Sequence, residues 1–404
     1  MGKTSLNISL RAGVLGLFAL GLWFSSISAA QELRYVDPAF DIQNLPASGT
    51  ALSAGGTAAQ IVRFRNWASL YPTREIRAGS YQLELPRNEV DFSDLRYTVA
   101  DQSFSIEDFM LHNHVGGLLV IKNGSIKLER YGLGNTEDSL WVSYSMSKSA
   151  TSMLLGAAIQ DGYIASVDDM VTDYLPRLKG SSYDEVSLKD VLQMASGVEW
   201  DEDYADPNSD VATYPSGEVI ELLRFLGNKE RVAEPGDVFN YNTGETDLVG
   251  AIVRAAIGNN LASYIENKIW QPFGMESDAN WATHGNGGER GGCCMNATLR
   301  DYGRIGMFAM NGGVLADGTR VVPQGWMQES TTSSKGNAGY GYLWWLLEGP
   351  AFQAIGIYGQ GIYINPETET VIAVLSAWTT ATGREYSAHR AALYRAIDEI
   401  LAEF

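Results

Sequence analysis

Cysteine and histidine are scarce. The 404 residues contain two Cys and four His. The cysteines, Cys293 and Cys294, are adjacent, so they close no useful loop, and a disulfide between neighbours is strained. They read as structural thiols in a small-residue segment. A metal site needs further ligands near by. His112, His114, His284 and His389 are scattered, and no His-Glu-x-x-His occurs, so no metal is expected. Basic residues are also short, 29 Lys+Arg against 48 Asp+Glu, giving a net charge of -19. Phosphate binding wants a basic face, so no nucleic-acid partner is expected. The acidity favours solubility and self-repulsion. Long apolar runs are missing apart from residues 12–24, and that run is too short for a comfortable membrane span. The glycine-rich stretch 285–292 follows no strand and lacks a Gly-Lys-Ser ending, which excludes a phosphate cradle. It reads as a mobile crossing between domains.

The rest is ordinary globular composition, 45% hydrophobic and 19% charged, enough for one large domain or two medium ones. Lys3 and Arg11 precede the apolar run, and Ser28-Ala29-Ala30 offers a cleavage site before Gln31. Residues 1–30 therefore read as a signal peptide. The body is expected to be exported, to a bacterial periplasm, with membrane contact only if the segment stays uncleaved. Residues 31–60, with Pro38 and Pro46, are expected to form an extended arm.

Strand patterns lie at both ends and helical ones between them. Asn123-Gly124 joins 117–122 to 125–131 as a hairpin. Helical spacing covers 167–171, 188–192, 218–226, 246–257, 261–270 and 298–310. Strands return at 340–346, 353–357, 361–364 and 371–375, before a last helix from about Ser387. The expected class is α+β, an antiparallel sheet flanked by helices with an inserted all-helical domain. The sheet domain takes 61–150 and 295–404, and the helical domain takes 151–294. Residues 198–216, rich in Tyr, Trp and acids, read as a long functional loop. Its acids, including Glu199, Asp201, Glu202 and Asp203, read as a solvated face.

The chemistry gathers at Ser145-Met146-Ser147-Lys148, the one Ser-x-x-Lys in the chain. The stretch opens a helix, and residues three apart share a face of the first turn. A serine needs a base within hydrogen-bond reach. A lysine serves if burial and neighbouring charge lower its pKa. Two further stretches stand out. Tyr241-Asn242-Thr243 follows a turn and precedes a helix, and a phenol beside an ammonium ionises more easily. Gly356-Ile357-Tyr358-Gly359-Gln360-Gly361 marks a strand start that something approaches closely.

In this order the three motifs resemble those of the penicillin-recognising serine hydrolases. They are most like class C β-lactamases, related esterases and nylon-oligomer (6-aminohexanoate-dimer) hydrolases. The stretch Met194-Ala195-Ser196-Gly197, the Thr298-Leu299-Arg300-Asp301 helix and Tyr340-Gly341-Tyr342-Leu343-Trp344-Trp345 agree with it. The resemblance implies the β-lactamase/transpeptidase-like fold, with no metal or organic cofactor. It implies Ser145 as acylated nucleophile, Lys148 as its activating lysine and Tyr241 as partner in proton transfer. The N–H groups of Ser145 and Gln360 would form an oxyanion hole. Tyr204 would meet the substrate, Trp344 or Trp345 would line the pocket, and Tyr358 and Gly359 would flank it. Two departures matter. Thr243 stands where β-lactamases have asparagine, and Ile357-Tyr358-Gly359 stands where they have Lys-Thr-Gly. The missing lysine argues for small esters or linear amides over penicillins. A β-lactamase or D-Ala-D-Ala carboxypeptidase and a non-catalytic binding protein of the same fold remain the competing expectations.

Overall fold

The computed structural model describes residues 58–402. The expected signal segment and the arm as far as residue 57 lie outside the described residues. Residues 58–60 are not arm but the opening of a helix, α1 (Ala58–Arg65).

The chain then runs through β1 (Thr73–Ile76) and a small hairpin of β2 (Tyr97–Val99) and β3 (Gln102–Phe104). Helix α2 (Ile106–His112) starts with a capping box, in which Ser105 accepts from the Asp108 N–H and Asp108 accepts from the Ser105 N–H. Strands β4 (Val115–Lys122) and β5 (Ser125–Tyr131) follow. Asn123 and Gly124 join them at φ 51° and 71°, the left-handed pair that a type I′ turn requires. Next come β6 (Trp141–Val142), α3 (Met146–Gln160), α4 (Leu188–Leu192), α5 (Val219–Gly227), α6 (Thr243–Ile257) and α7 (Leu261–Ile265). The chain closes with β7 (Ala279–Ala282), β8 (Met295–Ala297), α8 (Leu299–Met310), β9 (Trp345–Leu346), β10 (Phe352–Gly356), β11 (Gln360–Asn365), β12 (Thr370–Ser376) and α9 (Arg384–Leu401).

The main sheet has the order β5-β4-β12-β11-β10-β9 and is antiparallel throughout. Every residue of β4, β11 and β12 is buried. Strands covered on both faces read as continuous apolar runs, which is why these stand out in the sequence. Successive side chains point to opposite faces. Leu119, Ile121, Val371 and Ala373 therefore join the core with α3 and α8, while Leu118, Val120, Ile372 and Val374 pack with α2 and α9. This is the expected α+β arrangement.

A second sheet, β1-β7-β8-β6, has no counterpart in the sequence pattern. It places β7 inside the stretch expected to be wholly helical, because β1 pairs with it from Thr73↔Ala282 to Ile76↔Ala279. The glycine-rich stretch 285–292 therefore joins two strands of one sheet rather than crossing between domains. Gly291 packs so closely on α6 that an added Cβ would meet Thr246 O at 2.2 Å. Two other expectations shift. Residues 167–170 turn instead of coiling, because the Asp169 carboxylate and the Ser166 hydroxyl bond the N–H groups of Ala165 and Asp168. The helix there is Val171–Tyr174. Only Trp345–Leu346 of 340–346 is strand. Tyr340, Tyr342, Leu343 and Trp344 are all buried, and a tight turn with Leu343 at φ 61° achieves that where an alternating strand would not.

Candidate active site

Strand β6 leads straight into Ser145, and β8 holds it in place. Trp141 pairs with Ala297 and Val142 with Asn296. The Ser143 N–H donates to Met295 O at 2.8 Å, and the Met295 N–H donates to Ser143 Oγ at 2.9 Å. Ser145 then caps α3 without spending its hydroxyl on a backbone N–H. The hydroxyl is left for side chains. Helix α3 is buried from Met146 through Ala158, so Lys148, one turn on, is only 1% exposed.

Lys148 Nζ lies 3.1 Å from Ser145 Oγ, 3.1 Å from Thr243 Oγ1 and 2.9 Å from Gly292 O. Burial lowers the lysine pKa to about 8, against the opposing pull of Glu202 and Asp247. A neutral amine has two N–H donors and one lone pair. Donating to Gly292 O and Thr243 leaves the lone pair for the serine proton. The Asp247 carboxylate accepts the Gly292 N–H at 2.7 Å and so holds that carbonyl in position.

Tyr241 immediately precedes α6, whose cap Asn242 accepts the Glu245 N–H at 2.9 Å. Ser145 acts on the Tyr241 hydroxyl, and Lys148 Nζ stands 5.4 Å from its ring centroid. Trp345 stacks on it at 5.7 Å. The expectation that this phenol ionises easily fails. Burial, then Glu202, raises its pKa, and Ser145 only moderates the rise. Tyr241 is held as a protonated phenol.

Glu202 is the residue that sequence reasoning missed. Its Oε2 accepts the Trp200 indole N–H and, at 3.0 Å, the Thr243 N–H. Its Oε1 accepts the hydroxyls of Tyr204 and Thr243. In sequence it is one acid among several in a loop, and it alone closes this network on the Lys148 side. A signal exists in Trp200-x-Glu202-x-Tyr204, since alternate residues of an extended chain point the same way. Tyr204, oriented by Glu202, lines both halves of the cleft at Ser145.

The other wall is the end of β10. An added Cβ on Gly356 would stand 2.4 Å from Ser143 O and 3.1 Å from Ser145 N, so only glycine fits there. Ile357, next in the chain, lines both halves of the cleft. This displaces Gln360 from its expected place. Gln360 is fully buried in β11, with Oε1 accepting from Trp141 Nε1 and the Ser376 N–H, each at 3.0 Å. Tyr358 and Gly359 leave with it, because a 3-10 turn at Ile357–Gly359 swings the chain away. Tyr358 is buried on Phe64 and Tyr144, and Gly359 abuts Trp378. Trp344 packs on Phe352, also outside the cleft, whereas Trp345 lines it. The residues of this wall that border the cleft with Ser145 are thus Ile355, Gly356 and Ile357, and they too lack a lysine.

The half-cleft beside Arg290 and Tyr214 holds about 230 Å³, and the half beside Trp345 and Trp378 about 180 Å³. Burial lowers the Arg290 pKa to about 10, which still leaves it cationic. Cys293 borders the first half and is bonded to Cys294 across a cis peptide, so the pair are not free thiols.

Comparison with known proteins bears on the family and the fold. The "Beta-lactamase" family model matches residues 106–396. A 6-aminohexanoate-dimer hydrolase of Paenarthrobacter ureafaciens is 31% identical over 294 residues, covering 66% of this chain and 74% of that one. The solved structure described as "Putative 6-aminohexanoate-dimer hydrolase from Bacillus anthracis" superposes with TM-score 0.77 at 22% identity, covering 88% of this chain and 99% of the other. A family VIII carboxylesterase superposes with TM-score 0.56 at 17% identity, covering 72% and 96%. From Ser145 and its neighbours through the antiparallel sheet that frames them, this chain belongs to the β-lactamase family.

Proposed function

We propose that the protein is a serine hydrolase that opens a small ester or linear amide through an acyl-enzyme on Ser145. The observation that carries this is the 3.1 Å approach of a buried lysine, its pKa lowered to about 8, to the serine hydroxyl. Lys148 takes the Ser145 proton as the oxygen attacks the carbonyl carbon. The oxyanion rests on the N–H groups of Ser145 and Ile357, the residues on either side of the Gly356 contact. Tyr241, kept protonated, passes its proton to the leaving nitrogen or oxygen and is recharged from Lys148. Water then attacks the ester carbon, with the same groups returning the proton to Ser145.

The preference for a linear amide draws on the relative named for the 6-aminohexanoate dimer, and the ester on the carboxylesterase neighbour. The missing lysine supports both over a penicillin. Wild-type protein is expected to turn over p-nitrophenyl butyrate, and Ser145→Ala to lose that turnover while melting as before. Undiminished turnover in the variant would remove the proposal. A fluorescent penicillin is expected to leave no stable labelled band. Export rests on residues 1–30, and amino-terminal sequencing of periplasmic material is expected to begin at Gln31.

A further inference from the structure

Helix α2 ends at His112, and the first turns of α9 pack beside it on the outer face of the main sheet. The contact gathers three side chains that the sequence scatters. His112, Glu385 and His389 each present one ligand atom within 4.8 Å of the other two. The imidazoles of His112 and His389 lie 4.1 Å apart, inclined by 32°. Glu385 and His389 are four apart and share a face of α9. His112 Nε2 is buried with no hydrogen-bond partner, 3.6 Å from Glu385 Oε1. His389 Nδ1 lies 2.8 Å from the Tyr97 hydroxyl.

We propose that His112, Glu385 and His389 form a binding site for a divalent transition metal ion of the zinc type. Neutral imidazole nitrogen and carboxylate oxygen are the donors such ions take, and three protein ligands leave a fourth position for water. Tyr97 supplies the outer support. By accepting the Nδ1 proton it fixes the His389 tautomer with the lone pair on Nε2. Zinc bonds of about 2.0–2.2 Å bring ligand atoms closer than they stand here. The Glu385 side chain, 76% exposed, is free to swing inward and close the gap. The site lies outside the serine cleft, yet α9 also presents Ser387 and Arg390 to that cleft. A bound ion would pin the turn that forms this wall to α2.

Zn²⁺ is titrated into the full chain against a chromophoric chelator, with the Co²⁺ absorption spectrum reporting the ligand set. One ion per chain and a four-coordinate Co²⁺ spectrum are expected. His112→Ala and the exposed Glu385→Gln are expected to abolish or sharply weaken binding while melting like the metal-free wild type. Tyr97→Phe is expected to weaken binding by about 10–100-fold without changing the stoichiometry. A wild-type chain that takes up no Zn²⁺ would overturn the proposal. So would affinity left unchanged in both His112→Ala and Glu385→Gln.

Discussion

At the residue scale, the chemistry turns on how readily one amine gives up its proton. Lys148 has three hydrogen-bond partners and almost no contact with water. Its pKa of about 8 against an ordinary 10.5 makes the charged form the unwelcome one. As the proposed general base it must be neutral, so the acylation rate should rise with pH and level off above about 8. A pH profile of kcat/KM on a p-nitrophenyl ester measures this, and a flat profile between 6 and 9 would count against the role. The nearby Glu202 carboxylate works the other way by favouring the ammonium. Glu202→Gln should therefore move the rising limb to lower pH. Movement to higher pH would mean that Glu202 acts by some route other than its charge.

At the element scale, α6 carries a second buried titrating group. Glu245 is 1% exposed in the first turn, beside the hydroxyls of Ser196 and Tyr183. Burial lifts its pKa from 4.5 to about 8, the two hydroxyls holding it back only in part. Between those values the folded chain keeps a proton that the unfolded chain has released. Stability from this group is therefore complete below 4.5 and drains away as pH rises towards 8, at about 1.4 kcal/mol for each pH unit crossed. Melting temperatures at pH 5 and pH 8 should fall more steeply for wild type than for Glu245→Gln. Parallel slopes would contradict this.

Elements also decide how far the sequence could be read. Ser145 and Lys148 are legible because three-residue spacing at a helix start leaves one geometry. Tyr241 is legible by motif, though not its protonation, which depends on burial that no local pattern reveals. Gln360, Tyr358 and Gly359 are misplaced because a single 3-10 turn between β10 and β11 changes which strand meets Ser145. The sheet β1-β7-β8-β6 escapes notice because its strands are two to four residues long and far apart in the chain. Glu202 looks like its exposed neighbours, and nothing local marks which acid of a loop turns inward.

At the scale of the whole molecule, segments far apart in the chain, 115–131 and 345–376, meet in one sheet, and ion pairs tie that sheet to its helices. Glu129 on β5, its side chain 1% exposed, receives Arg300 of α8 at 2.7 and 3.0 Å, with Arg87 and the Tyr131 hydroxyl alongside. Removing Arg300 takes two of the hydrogen bonds from a buried carboxylate and leaves it only Arg87 and the Tyr131 hydroxyl. Arg300→Ala should cost about 3 kcal/mol of stability, read from the denaturation midpoint. A loss below about 0.5 kcal/mol would place the pair among surface contacts.

In the proposed reaction the cleft, the buried amine and the protonated phenol serve one event, the transfer of an acyl group to the Ser145 oxygen. Intact-mass analysis with peptide mapping after treatment with a fluorophosphonate reads that event directly. A single adduct on the peptide carrying Ser145, absent from Ser145→Ala, is the expected result. An adduct on another residue, or equal labelling of the variant, would contradict it.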